Sequence, residues 1–158
     1  MGLDMYLYLS KYDSDLSHDK RKVSHLYPKE LVDLGKKHTK RNFLSRTTMY
    51  QIGYWRKANA VHKYFVDNCA GGEDDCKPVW VSDVTLRRLK EYCDEILKDK
   101  SKEKAKKLLP TTEGFFFGGT EYDDWYFKDL KYTSDLIADI LDFLNKNHDY
   151  EIYYEASW

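Results

Sequence analysis

The run Leu3-Asp4-Met5-Tyr6-Leu7-Tyr8-Leu9 alternates residue by residue. Leu3, Met5, Leu7 and Leu9 fall on one face, and Asp4, Tyr6 and Tyr8 on the other, which predicts a central or near-central strand. The closing run Tyr150-Glu151-Ile152-Tyr153-Tyr154-Glu155-Ala156-Ser157-Trp158 predicts a second strand, pairing near the first and tying down both termini. From Lys11 to Arg46 the chain is polar and basic, with clusters at Asp19-Lys20-Arg21-Lys22 and Lys36-Lys37-His38-Thr39-Lys40-Arg41. Within it Pro28 to Gly35 predicts a short helix, proline at its start and glycine at its end.

Thr47 to Ile52 is β-branched and aromatic, either a strand or an extended lead-in. Gly53 to Asn68 then reads as an amphipathic helix. Tyr54, Ala58, Val61 and Phe65 share one line at helical period, a core stripe. A quarter turn away lie Trp55, Asn59, His62 and Val66, edged by Arg56 and Lys63. An indole, an amide and an imidazole beside two cations can grip a polar, planar anion. The plain alternative is that Trp55 packs in the core and His62 caps a neighbouring group.

Gly71-Gly72-Glu73-Asp74-Asp75 is an acidic turn without the spacing of a calcium loop. Val79 to Val81 is a short strand, and Ser82 caps a helix to about Lys98 with Leu86, Leu89, Cys93, Ile96 and Leu97 inward. Ser101 to Leu109 predicts another short helix, stopped by Pro110. Next comes an aromatic loop, Gly114-Phe115-Phe116-Phe117-Gly118-Gly119. Thr120 is the expected N-cap of a long helix to about Asn147, with Glu121, Asp123 and Asp124 in its first turn. Three carboxylates there repel phosphate, so Gly118 and Gly119 are not a phosphate loop; a bound phosphate would fall to Arg56, Lys57 or Lys63. Tyr126, Leu130, Ile137, Ile140, Leu141 and Leu144 form the core stripe of the long helix. A second stripe, Trp125, Tyr132, Leu136 and Phe143, is surplus to one core and predicts a homo-oligomer, the alternatives being a ligand or another element of the chain, such as the basic excursion, lying over it. The elements add up to a single α+β domain, residues 1–158: a small sheet including the N- and C-terminal strands, covered by helices.

Composition narrows the function classes. Aromatic residues make up 16% of the chain, which favours a binding surface as well as a core. The formal net charge of -1 gives no field that would draw the chain to nucleic acid or a membrane. With no signal-like or membrane-spanning run, the expected compartment is the cytoplasm. Cys69, Cys76 and Cys93 lack zinc-site spacing and read as reduced structural thiols. No cofactor or metal is expected.

Three blocks carry a resemblance: Met1-Gly2-Leu3-Asp4-Met5-Tyr6-Leu7; Gly53 to Asn68; and Gly114 to Trp125 with the closing Tyr154-Glu155-Ala156-Ser157-Trp158. Together they resemble an uncharacterised family of small proteins carried by tailed bacteriophages and prophages of Gram-positive bacteria. The resemblance carries over no catalytic residues. It implies a phage-encoded accessory protein acting in the host cytoplasm, of the kind that disarms host defence.

Three functions fit. The first is a binding protein that sequesters a nucleotide-derived signal, through Trp55, Phe116, Phe117, Tyr122 and Trp125 as stacking groups, Arg56 and Lys63 as cations, and Asn59, His62, Thr120 and Glu121 as polar contacts. The second is an inhibitor that binds a host defence protein through its aromatic surface. The third is a hydrolase of such a signal, with His62 and Glu113 or Asp123 as acid and base. No nucleophile elbow or paired-histidine motif supports the third, so an enzyme is not the expected reading.

Overall fold

The computed structural model describes residues 2–13, 29–38 and 46–158. The elements are β1 (Asp4–Asp13), α1 (Lys29–His38), β2 (Arg46–Arg56), α2 (Asn59–Cys69), β3 (Val79–Val81), α3 (Asp83–Leu97), α4 (Lys102–Leu108), α5 (Asp124–Leu144) and β4 (Tyr150–Ser157). The strands form one antiparallel sheet in the order β2-β1-β4-β3, an α+β arrangement with the first and last strands as neighbours. The clusters Asp19-Lys20-Arg21-Lys22 and Thr39-Lys40-Arg41, with Pro28, lie outside the described residues.

The chain divides into two compact units, one of Met1–Leu9 with Tyr50–Trp158, the other of Ser10–Met49. The smaller unit holds the far ends of β1 and β2, joined by an Arg46–Asp13 ion pair at 3.1 Å, and α1, on which Leu31 and Leu34 are exposed. Helix α1 runs three residues past Gly35, where the sequence predicted its end.

In the larger unit the alternation of β1 holds: Leu3, Met5, Leu7 and Leu9 are buried. Ile152, Tyr154 and Ala156 of β4 join them, and β3 pairs antiparallel with β4, Trp80 opposite Tyr153. Helices α2 and α5 lie on this apolar face. The Phe65 ring stacks on Tyr154 at 4.3 Å, and the Trp55 indole donates to Thr133 Oγ1 at 2.8 Å. Helix α3 packs on α5 through Leu86, Leu89, Cys93 and Ile96. Ser82 caps α3 and Ser101 caps α4, as their sequences predict. No helix among the described residues is long and apolar enough to cross a membrane.

Two further boundaries depart from the sequence reading. The helix expected from Gly53 begins at Asn59, because Gly53 to Arg56 continue β2. A Cβ at Gly53 would lie 2.6 Å from Leu136 Cδ2 and 3.2 Å from Leu7 Cβ, so a larger residue at this strand position would have to displace Leu136. Gly53 and Trp55 face in while Tyr54 and Arg56 face out, a period of two. Lys57, at φ 62, then turns the chain into the helix. The second departure is the cap of α5, which is Asp123 rather than Thr120: Asp123 Oδ1 accepts from the N–H groups of Trp125 and Tyr126, both at 3.0 Å. Thr111 holds residues 120–122 outside the helix, its hydroxyl donating to Thr120 O at 3.0 Å and its N–H to Tyr122 Oη at 3.3 Å.

The second stripe of α5 is partly used within the chain. Tyr132 meets Trp55 edge-on at 5.8 Å, Leu136 covers Gly53, and Phe143 meets Tyr150 at 5.1 Å. Beside them an apolar groove of about 520 Å³ remains, lined by Leu9, Tyr50, Ile52, Leu136, Ile140 and Phe143 among others.

Candidate functional site

Where β2 turns into α2, a cleft of about 330 Å³ opens. Asn59, the first residue of α2, organises one wall. Its buried amide donates to Phe117 O at 3.1 Å and Gly119 O at 2.8 Å, and its Oδ1 accepts from Thr112 N at 3.3 Å. The aromatic loop is thereby fixed to the start of α2, and Leu3 N donating to Phe116 O at 3.0 Å fixes it to β1. Gly118, at φ 86, lets the loop close on the Lys57 stem: a Cβ there would lie 3.1 Å from Lys57 Cβ.

The cleft is electrically two-sided. On one side stand Arg56 and Lys57, neither in an ion pair among the described residues, and the first turn of α2. No side chain caps that turn, it carries no acidic residue, and among the described residues no hydrogen bond engages the N–H groups of Ala60 and Val61. An uncapped helix start between two cations favours negative charge. On the other side stand Glu121, Asp123 and Asp129, with Tyr126 and Leu130 at the base. Burial, and secondarily the charge of Asp123, push the Asp129 carboxyl up to about 6 from 3.8. The Trp125 ring is 72% exposed at the rim, with the Lys128 ammonium 4.3 Å from its centroid.

Of the residues singled out from sequence, Arg56, Asn59, Glu121 and Trp125 meet in this cleft. Trp55 is 3% exposed and belongs to the core, with its N–H spent on Thr133. Lys63 lies on the outer side of α2, paired with Asp67 at 2.8 Å. Phe116 is half-buried and meets Phe115 edge-on. Thr120 accepts from Thr111 through its carbonyl, and Tyr122 packs on Tyr126 at 5.0 Å.

His62 is 2% exposed and sits in a closed network. Its Nε2 lies 2.9 Å from Asp74 Oδ2, which also accepts from Trp158 Nε1 at 2.8 Å; its Nδ1 lies 2.7 Å from the Tyr154 hydroxyl. An ionised Asp74 only accepts, so Nε2 carries the proton and Nδ1 accepts from Tyr154. Burial lowers the His62 pKa despite the opposing pull of Asp74, and the imidazole is neutral at pH 7. The acidic turn that supplies Asp74 thus ties α2, β4 and Trp158 together. Cys69 is pushed by burial to about 11, which suits an inert structural thiol.

The sequence reading gave no role to Asp129, Thr111 or Ala60, and read Val61 only as part of the core stripe. Asp129 left a trace: it falls between Tyr126 and Leu130 on the inward side of α5, a carboxylate in an apolar stripe. Among the described residues no three His, Cys, Asp or Glu side chains group as a metal site. No protein-family model matches the chain, and no match emerges among curated proteins or solved structures.

Proposed function

We propose that the protein binds and sequesters a small anionic, nucleotide-derived signal in the cleft at the start of α2, and that in a phage context this counters host defence. The observation that carries the reading is the first turn of α2, without cap or carboxylate, between Arg56 and Lys57, neither ion-paired among the described residues, with the exposed Trp125 ring at the rim. Phosphate takes the cationic side, with Arg56 as a bidentate donor. The base stacks on Trp125; Trp55, the other tryptophan considered for that part, is in the core. Sugar hydroxyls and exocyclic amines meet Glu121, Asp123 and Asp129, which are acceptors. The volume is at the lower end of the range of small-molecule sites, roughly 300–1,000 Å³. The phage context rests on the sequence blocks alone.

Hydrolysis of the same signal is the second reading, and Asp129 is the observation that favours it, since a carboxyl near 6 serves as a general acid. His62, the base first considered, is buried and fully engaged and takes no part.

Calorimetric titration with cyclic and ADP-ribose-derived nucleotides tests the proposal. Arg56 is exposed, so Arg56→Ala leaves the melting temperature of the free protein unchanged while weakening binding by about ten- to a hundredfold. Phosphorus NMR of the mixture separates intact ligand from hydrolysed product. A wild-type protein that binds none of the panel overturns the reading.

A further inference from the structure

The sheet face opposite α2 and α5 carries a different chemistry from the cleft, and Arg56, beside Tyr54 at the end of β2, borders both. Each strand of the larger unit sets an aromatic side chain there: Tyr6 and Tyr8 of β1, Tyr54 of β2, Trp80 of β3 and Tyr153 of β4. Trp80 is 56% exposed and directly opposite Tyr153 in register; Tyr54 is 42% exposed. Tyr6 stacks on Tyr8 at 6.2 Å and tilts against Tyr54 at 5.6 Å. Two of the tyrosines are each joined to a carboxylate on the same face: the Tyr54 hydroxyl donates to Asp4, and Tyr153 donates to Glu151 Oε2 at 3.1 Å; the charge of Glu155 acts on Tyr8.

These pairs do two things. They hold the rings, so little side-chain freedom is lost on contact. They also leave carboxylate oxygens facing solvent beside aromatic faces, where a guanidinium or ammonium gains both a charge-assisted hydrogen bond and a cation–π contact. Three carboxylates repel a phosphate backbone, which sets this platform apart from aromatic sheets that stack nucleic-acid bases. We infer that the open sheet face docks a cationic, arginine-rich surface of a partner protein, with Trp80 and Tyr54 as anchors and Asp4, Glu151 and Glu155 as the complementary charges.

The probe is an oligo-arginine peptide titrated into the full chain by calorimetry, with oligothymidylate as the second arm. The triple variant Asp4→Asn, Glu151→Gln, Glu155→Gln is compared with a control of equal charge change on exposed helical carboxylates: Asp67→Asn, Asp135→Asn, Asp142→Asn. The expected result is a loss of at least about tenfold for the first and less than about threefold for the second. Trp80→Ala, at an exposed site that spares the fold, costs about three- to tenfold by itself. Equal losses in the two triple variants mean diffuse attraction and overturn the inference. So does unchanged binding in Trp80→Ala, or oligothymidylate binding as tightly as the peptide. A dimer in sedimentation that Trp80→Ala dissolves also overturns it, because the face would then be closed by a second copy.

Discussion

Two residues, Asp129 in the cleft and His62 in the network around Asp74, work against their own ionisation for opposite structural ends. His62 is kept neutral by burial so that one ring nitrogen can donate to Asp74 and the other accept from Tyr154. Asp129 is kept near 6 by burial and by Asp123, with no hydrogen bond to its carboxylate among the described residues. Its folded pKa is raised above the unfolded 3.8, so the folded chain holds an extra proton between about 4 and about 6. Stability therefore falls as pH climbs through that window, and the penalty stays at higher pH. Full desolvation would make it about 3 kcal/mol, and solvent in the cleft reduces it to roughly 1–2 kcal/mol. Asp129→Asn should accordingly raise the melting temperature at neutral pH and leave it unchanged below about pH 4. A variant that melts lower at neutral pH would mean that the carboxylate is held by a favourable contact.

At the scale of elements, the sequence was legible wherever one periodicity governed. Strict alternation placed β1 and β4, and serine caps followed by apolar positions three and four apart placed α3 and α4. The junction of β2 with α2 was read wrongly because Ala58, Val61 and Phe65 do form a buried helical line, and Tyr54 extends it by arithmetic alone. The contrary signal was Gly53, costly inside a helix and suited to a strand whose inner face lies under Leu136. Gly53→Ala should cost about 1–3 kcal/mol by overpacking, seen as a lower urea midpoint. An unchanged midpoint would show that Leu136 swings clear into the adjoining groove. The cap of α5 was missed for a related reason. Thr120 satisfies the local rule, and only the distant Thr111 holds it out of the helix.

At the scale of the larger unit, the candidate site was only half legible, because its walls come from residues 56–61, Thr111 and residues 118–130. Chain spacing cannot report that juxtaposition, nor that the histidine on the attractive stripe faces Asp74 and not the cleft. The same long-range closure makes the C-terminus structural. Strand β4 lies between β1 and β3, Tyr154 stacks on Phe65, and Trp158 bonds Asp74 while meeting Phe117 edge-on at 5.9 Å. Deleting Tyr153 to Trp158 opens the middle of the sheet and removes a stacked core ring worth roughly 3–5 kcal/mol, so no cooperative thermal transition should remain. Trp158→Phe is the finer probe. It keeps the ring against Phe117 and removes only the hydrogen bond from Nε1 to Asp74, leaving His62 to hold that carboxylate alone. The expected cost is about 1–2 kcal/mol, since the acceptor is charged and the site half-buried. Urea denaturation measures it directly. A full-length Trp158→Phe with the wild-type midpoint would show that His62 satisfies Asp74 unaided. A truncated chain that still melts cooperatively would refute the central place of β4.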